Sequence, residues 1–282
     1  MVAQQQELLL EDWGEPGELS NERDNVSNVQ QPSTIEYVDT FGVFYVHEDN
    51  PNQIYTVQDS SLLNFHRYDP VQQGLFSYAN TGILGSPARP LFYETRDRQG
   101  FDVGFHQFDA YYIQPTEVRF YILDKAYAKF RANIGNSQQD RMFTATFGRK
   151  FANGWQFSLE ASSILEESGF KFPRQQLSDR ALGVGLRYQS DNGRYQSFIT
   201  LTSNTTVAQE NGGIQILPER GVSFVSPANA QPILSNGANT RHAHRTLGYT
   251  QYLNLQGTEK GRNKRAFQLS HQLQYRSSTY KY

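Results

Sequence analysis

From Gly100 onward, apolar and polar residues alternate with a period of two. Phe130, Ala132 and Ile134 alternate with Lys129, Arg131 and Asn133. Phe143, Ala145 and Phe147 alternate with Met142, Thr144, Thr146 and Gly148. The same holds for Trp155, Phe157, Leu159 and Ala161 against Gln156, Ser158, Glu160 and Ser162, and for Leu182, Val184, Leu186 and Tyr188 against Gly183, Gly185, Arg187 and Gln189. Near the end of the chain, Phe267, Leu269, Leu273 and Tyr275 oppose Gln268, Ser270, Gln272, Gln274 and Arg276. A period of two places one set of side chains on each face of a β-strand. The segment 194–204 fits less well, because Phe198 falls on its polar face.

Alternation also describes soluble sandwiches, so two further features carry the fold class. The predicted strands run to about 9 to 12 residues, longer than the usual 5 or 6 and close to what a tilted membrane strand needs. The connections also sort by length. Those at Asp124-Lys125, Phe151–Gly154 and Ser190–Gly193 are tight, whereas Asn136–Asp140, Glu166–Asp179 and 205–241 are longer. The connection 256–264 should be short and is of middling length. Short turns on one rim and long loops on the other are the habit of bacterial membrane barrels. The expected fold is all-β: an antiparallel transmembrane β-barrel, incomplete at about eight or nine strands, with a poorly regular N-terminal arm.

Three regions are expected. Residues 1–33 are an acidic polar extension, with Pro16 and nearby glycines. Residues 34–100 form a pre-barrel arm of short β-like runs, such as Gly42–Val46, and Gly/Pro/Asn-rich sequence, set in the periplasm or in the lumen. So long a stretch without periodicity is usually functional or packed against something else. Residues 101–282 hold the barrel strands.

Composition fits this reading. The chain has 282 residues, 37% hydrophobic and 13% aromatic, with 17 Tyr and 19 Phe, and its mean hydropathy is −0.65. A membrane barrel looks polar on average because only alternate residues meet lipid, yet it is rich in interfacial aromatics. Net charge is −2, so no basic field points to nucleic acid. The absence of cysteine excludes disulfides and thiolate sites. No run approaches the roughly 18 to 20 apolar residues of a membrane helix. Met1–Gln6 lacks a signal peptide's basic and apolar regions, but Ala3 before a Gln run resembles the end of a cleaved one; we expect the signal to be missing from this sequence.

Candidate chemistry is sparse. His242 and His244 would share a strand face, as metal ligands can, but no third ligand is evident and polar packing is the commoner case. The adjacent Glu166 and Glu167 read as a solvated loop, and no phosphate loop, nucleophile elbow or zinc-protease motif is present. We therefore expect no catalytic residue, cofactor or metal. Lys129, Arg131, Lys150, Glu160, Arg187 and Arg276 are the lumen-lining candidates, since they oppose the apolar residues and lumen charge sets which solutes pass. Tyr188, Tyr195, Tyr249 and Tyr275 are candidates for an interfacial girdle.

Separate motifs add a resemblance. Asp59-Ser60-Ser61-Leu62-Leu63-Asn64-Phe65-His66-Arg67-Tyr68-Asp69-Pro70 and Gly82-Ile83-Leu84-Gly85-Ser86-Pro87, then Gly169–Gln175 and Glu210–Ile214, resemble segments of the putative-porin family of Bacteroidota outer membranes, in the same order. The resemblance spans roughly residues 56–282 and implies an outer-membrane channel of which this chain is an N-terminal part. The expected partners are outer-membrane lipid and small solutes, with homo-oligomers open and nucleic acid excluded. Two other readings stand beside passive solute passage: a secreted glycan-binding β-sandwich, and a non-conducting barrel subunit of an outer-membrane complex. Burial separates the sandwich from the barrel, because a sandwich would hide Trp155, Phe157 and Leu159.

Overall fold

A computed structural model of the protein describes residues 43–57, 68–72, 78–93, 101–123, 125–135, 140–167, 175–213, 233–234, 238–255 and 267–282. Contacts divide the chain into Met1–Phe41 and Gly42–Tyr282, and every described residue belongs to the second unit. The expected acidic extension, the motif residues 59–67 and 169–174, and most of the loop 205–241 lie outside the described residues.

Among the described residues the strands of the arm are short: β1 (Phe44–Val46), β2 (Tyr55–Thr56), β3 (Tyr78–Ala79), β4 (Arg89–Pro90) and β5 (Phe120–Tyr121). β1 pairs antiparallel with β2 and β5, and β3 pairs with β4. The regular strands follow: β6 (Tyr127–Ile134), β7 (Asp140–Lys150), β8 (Trp155–Glu166), β9 (Leu177–Gln189), β10 (Tyr195–Gln209), β11 (Asn239–Leu255) and β12 (Phe267–Lys281). They form one antiparallel sheet of seven in chain order. The sheet does not close on itself; β6 and β12 are its edges. No helix among the described residues is long and apolar enough to cross a membrane.

Two details differ from the sequence reading. Residues 101–123, which the alternation grouped with the strands, form two 3-10 turns (Asp109–Tyr111 and Pro115–Glu117) and β5. At Pro115 the chain is diverted: the Gln114 amide donates to Glu117 Oε2 at 2.9 Å, closing a capping box. β5 pairs with β1 and not with β6, so the expected turn at Asp124-Lys125, of which Asp124 lies outside the described residues, joins no two strands of the seven-stranded sheet. Strands β10, β11 and β12 also run to 15, 17 and 15 residues, which moves the start of the long loop from 205 to 210. Sorting of connections is clear at the inner hairpins, with 151–154 and 190–194 on one rim against 167–176 and 210–238 on the other. It fails at the outer ones, 135–139 and 256–266. The first short turn needs left-handed backbone at Asn153 and Gly154, with φ of 60° and 79°.

Burial inverts the usual rule for a sheet. Phe130, Trp155, Leu201 and Leu273 on the apolar face are exposed, Phe130 at 69% and Trp155 at 40%. Gln156, Ser158, Glu160, Thr200, Thr202 and Thr206 on the polar face are buried. What buries them is the arm. Val46, Val118 and Phe120 pack on Phe198, and Val71, Ala88, Phe108, Tyr111 and Tyr112 pack on Met142, Ile164, Leu177 and Ala208. Phe198, the residue that broke the alternation, is 0% exposed and meets Phe120 edge-on at 5.1 Å. Burying such a side chain contributes about 1.5–3 kcal/mol.

Close approach of the arm requires small residues beneath it. A Cβ on Gly185 would lie 2.7 Å from Phe120 Cε1 and 2.9 Å from Val118 Cγ1. Gly185→Val is therefore expected to keep the strands, which tolerate β-branched residues, but to lift the arm. Limited proteolysis should cut residues 101–123 sooner in the variant while the far-ultraviolet β signal is unchanged; equal cleavage rates would refute this packing.

Candidate functional site: the polar face of the sheet

Register places the six sequence-predicted residues on one face. Lys129, Thr146, Glu160, Gly183, Thr202, Thr246 and Arg276 form one continuous row across the seven strands. Lys150, Gln156, Arg187, Phe198, Thr250 and Gln272 form a second. Arg131 lies beside Lys129 on the same face of β6 and pairs with Thr144. Their environments differ, however. Glu160 and Arg187 are buried, Lys129, Arg131 and Arg276 are half-buried, and Lys150 is exposed.

Glu160 is held by the arm. Arg119 Nε and Nη2 donate to its two carboxylate oxygens at 2.8 and 3.0 Å, and the Arg119 amide adds a third bond at 3.1 Å. Ser158 donates its hydroxyl to the Arg119 carbonyl. A two-pronged guanidinium–carboxylate pair fixes orientation as well as distance. Arg187, by contrast, finds its partners within the sheet, its Nη1 and Nη2 donating to Gln156, Gln189 and Gln196 at 2.9–3.0 Å while its guanidinium lies 5.5 Å from the Phe198 ring centre.

Three further polar clips join arm and sheet. Asn204 accepts from the Ile113 amide at 3.1 Å and donates to the Ile113 carbonyl at 3.0 Å, so its side chain mimics a neighbouring strand. Thr206 donates to Asp179 at 2.7 Å and lies 3.1 Å from the Tyr112 hydroxyl. Thr200 donates to Glu48 at 3.1 Å, and Tyr252 donates to the Glu48 carbonyl at 2.6 Å. These sheet residues were not singled out from sequence because Thr and Asn on a polar face read as solvated. The available signal was the intrusion of Phe198, Met142 and Ile164 into that face, which only a packed partner explains.

Beside the fork lies a cavity of about 480 Å³, lined by Tyr45, His47, Asp49, Glu117, Arg119 and Glu160 among others. Tyr45 is sandwiched there, stacked on Tyr55 at 5.5 Å and lying 5.8 Å from the Arg119 guanidinium. His242 and His244 do share the polar face, and they serve packing. His242 sits edge-on to Phe108 and Tyr280, at 5.3 and 5.0 Å, and His244 Nδ1 lies 2.9 Å from Ser278 Oγ. Among the described residues no group of three or more metal-ligating side chains is assembled.

On the opposite, apolar face, aromatic residues gather at the short-turn rim. Trp155 contacts Tyr188 at 5.0 Å, Tyr188 contacts Tyr195 at 6.2 Å, and the Tyr195 and Tyr249 hydroxyls are 3.2 Å apart. Tyr275 stands apart from this group, in mid-strand on β12. The apolar stretch also slides along the register. Ala132 on β6 leads, through Phe143, Ser163, Arg180, Thr205 and Ala243, to Thr279 on β12. The apolar residues of β12 are instead Leu269, Leu273 and Tyr275, nearer the short-turn rim. The belt thus crosses the strands obliquely, while the outward-facing Arg180, Arg241 and Lys281 lie beyond it toward the long-connection rim.

Electrostatics of the arm predict a pH response. Glu48 is 1% exposed, and burial pushes its carboxyl above the usual range against the opposing Thr200 bond. Glu117 and Asp69 are shifted the same way by the same cause. A carboxyl whose pKa is raised on folding takes up its proton more readily when docked. Docking should therefore strengthen as pH falls through the raised value, with the gain complete below the ordinary value of 4.5 for Glu48. Protease resistance of the arm should rise from pH 7 toward pH 5, and Glu48→Gln, which still accepts from Thr200, should flatten that slope; an unchanged slope would refute the assignment.

Comparison with known proteins agrees with this architecture. No curated protein and no solved structure matches the chain. A family described as "Putative porin" matches residues 43–282, which takes in the arm and all seven strands of the sheet. The chain belongs to this putative-porin family.

Proposed function

We propose that this chain contributes to an outer-membrane, porin-like channel for small solutes, in which the seven-stranded sheet is part of the barrel wall. One observation carries the reading: a sheet whose apolar face is open and crossed by an oblique belt, and whose polar face is covered. In a closed barrel the strands tilt by about 35–45° to the axis. A hydrocarbon layer perpendicular to that axis would cut them obliquely, as this belt does. The aromatic group at Trp155, Tyr188 and Tyr195 suits the edge of such a layer. Family membership supports a non-enzymatic transport role and an outer-membrane setting. A soluble glycan-binding sandwich is disfavoured, since it would bury Trp155, which stands 40% exposed.

In this reading Lys129, Arg131, Lys150 and Arg276 set the charge of the passage, while Glu160 and Arg187 hold its wall and contents together. A non-conducting barrel subunit remains the second reading, and the arm on the polar face is the observation that favours it. Planar-bilayer recordings on the intact protein separate the two, with discrete conductance steps expected for the first. Extraction without detergent would sink both.

The face assignment is testable by one pair of substitutions. Leu201→Arg, on the apolar face at mid-strand, should cost about 2–4 kcal/mol as a cation in hydrocarbon. It should reduce the heat-modifiable folded fraction on gels. Gln274→Arg, on the opposite face of edge strand β12, should fold normally; equal losses from both variants would contradict the assignment.

A further inference from the structure

On β8 to β11 the polar face that would line a passage is covered by described residues of the protein's own arm, between Val46 and Tyr121, and this occupancy is built rather than incidental. Four polar clips, Ile113–Asn204, Arg119–Glu160, Glu48–Thr200 and Tyr112–Thr206, and two apolar clusters hold the arm. Each clip pairs an arm group with a sheet side chain chosen for it: an amide for a backbone edge, a carboxylate for a guanidinium, a hydroxyl for a buried carboxylate. The glycines Gly183 and Gly185 clear the space that Ile113, Val118 and Phe120 fill. A wall facing only water would need none of these.

The clips are not equally accessible. Glu48, Thr200, Thr206 and Asp179 are sealed from solvent. The Arg119–Glu160 fork instead lines the 480 Å³ cavity, with the Arg119 side chain 36% exposed. Its loss would leave Glu160 charged and enclosed without its partner, which disfavours the docked state.

We propose that the described residues of the arm, those packed on the sheet between Val46 and Tyr121, form a plug that closes the passage at rest, and that the Arg119–Glu160 fork is its release point. This rests on the channel reading above and changes one part of it: passage is gated, not open. The fork is the place where a charged solute entering the cavity can compete for either partner, so release couples to the presence of a solute.

Crosslinking tests the gate. The chain has no cysteine, so Ile113→Cys with Gly183→Cys introduces the sole pair. A Cβ at position 183 lies 2.9 Å from Ile113 Cγ2, so a sulfur in the place of that methyl would stand at about the distance that separates one Cβ from the partner sulfur in a disulfide. In planar bilayers the intact oxidised protein should spend at least tenfold less time open than the reduced protein, in which the plug can leave, and reductant should restore the openings. Gel mobility and thiol titration confirm that the bond has formed. Equal open time in the crosslinked and reduced states would overturn the plug, as would two thiols that stay free under oxidation in the folded protein. For the fork, Arg119→Ala should increase the open time several-fold, and the exchange Arg119→Glu with Glu160→Arg should bring it back toward the parent. An open time unaffected by Arg119→Ala would overturn the release point. Silence in every variant and both redox states would instead overturn the channel reading itself.

Discussion

The structure depends on a sheet turned inside out. Seven strands expose Leu, Phe and Trp on one face, and β8 to β11 bury Thr, Gln, Glu and Arg under the other. In water the exposed face would drive association, and the polar face would have no reason to be covered. Both features become favourable together when the first face meets hydrocarbon and the second is satisfied from within. In lipid every strand N–H and C=O would also need a partner inside the protein. Two edges, β6 and β12, are the places where that requirement is still open in the sheet described.

Burial of the polar face creates an electrostatic problem that the arm resolves in two ways. Where a buried charge of the sheet faces the arm it is matched by an opposite one, as in the Arg119–Glu160 fork. Where one is not matched, burial shifts the group toward its neutral form, as at Glu48. Apolar contacts fill the remaining space, and the glycines of β9 give the arm room to reach the backbone. Polar clips set the register of the arm and apolar clusters supply area, a division that suits a segment able to leave and return. Strong burial without clips would dock it in many registers; clips without burial would not hold it against water.

Much of this was legible in the sequence, for a simple reason. A strand has period two, so the faces of β6 to β9 and of β12 could be read residue by residue, and all six predicted lumen residues fall on one face. Tight turns at 151–154 and 190–194 declared themselves through Asn-Gly pairs. Ends were read less well. Strands β10 and β11 extend past their hydrophobic stretch, since backbone pairing with a neighbour continues where apolar patterning stops.

What only the tertiary structure decided is what lies on each face. Alternation distinguishes two faces but assigns no medium to either, because a polar residue can face water, a lumen or a packed partner with the same pattern. The arm has no periodicity of its own, and its contacts join residues far apart in sequence: Ile113 with Asn204, Glu48 with Thr200 and Tyr252, Arg119 with Glu160. Local sequence carries no signal of such pairings. Phe198 is the exception that points to them, an apolar side chain on a polar face that made sense only once Phe120 was found above it.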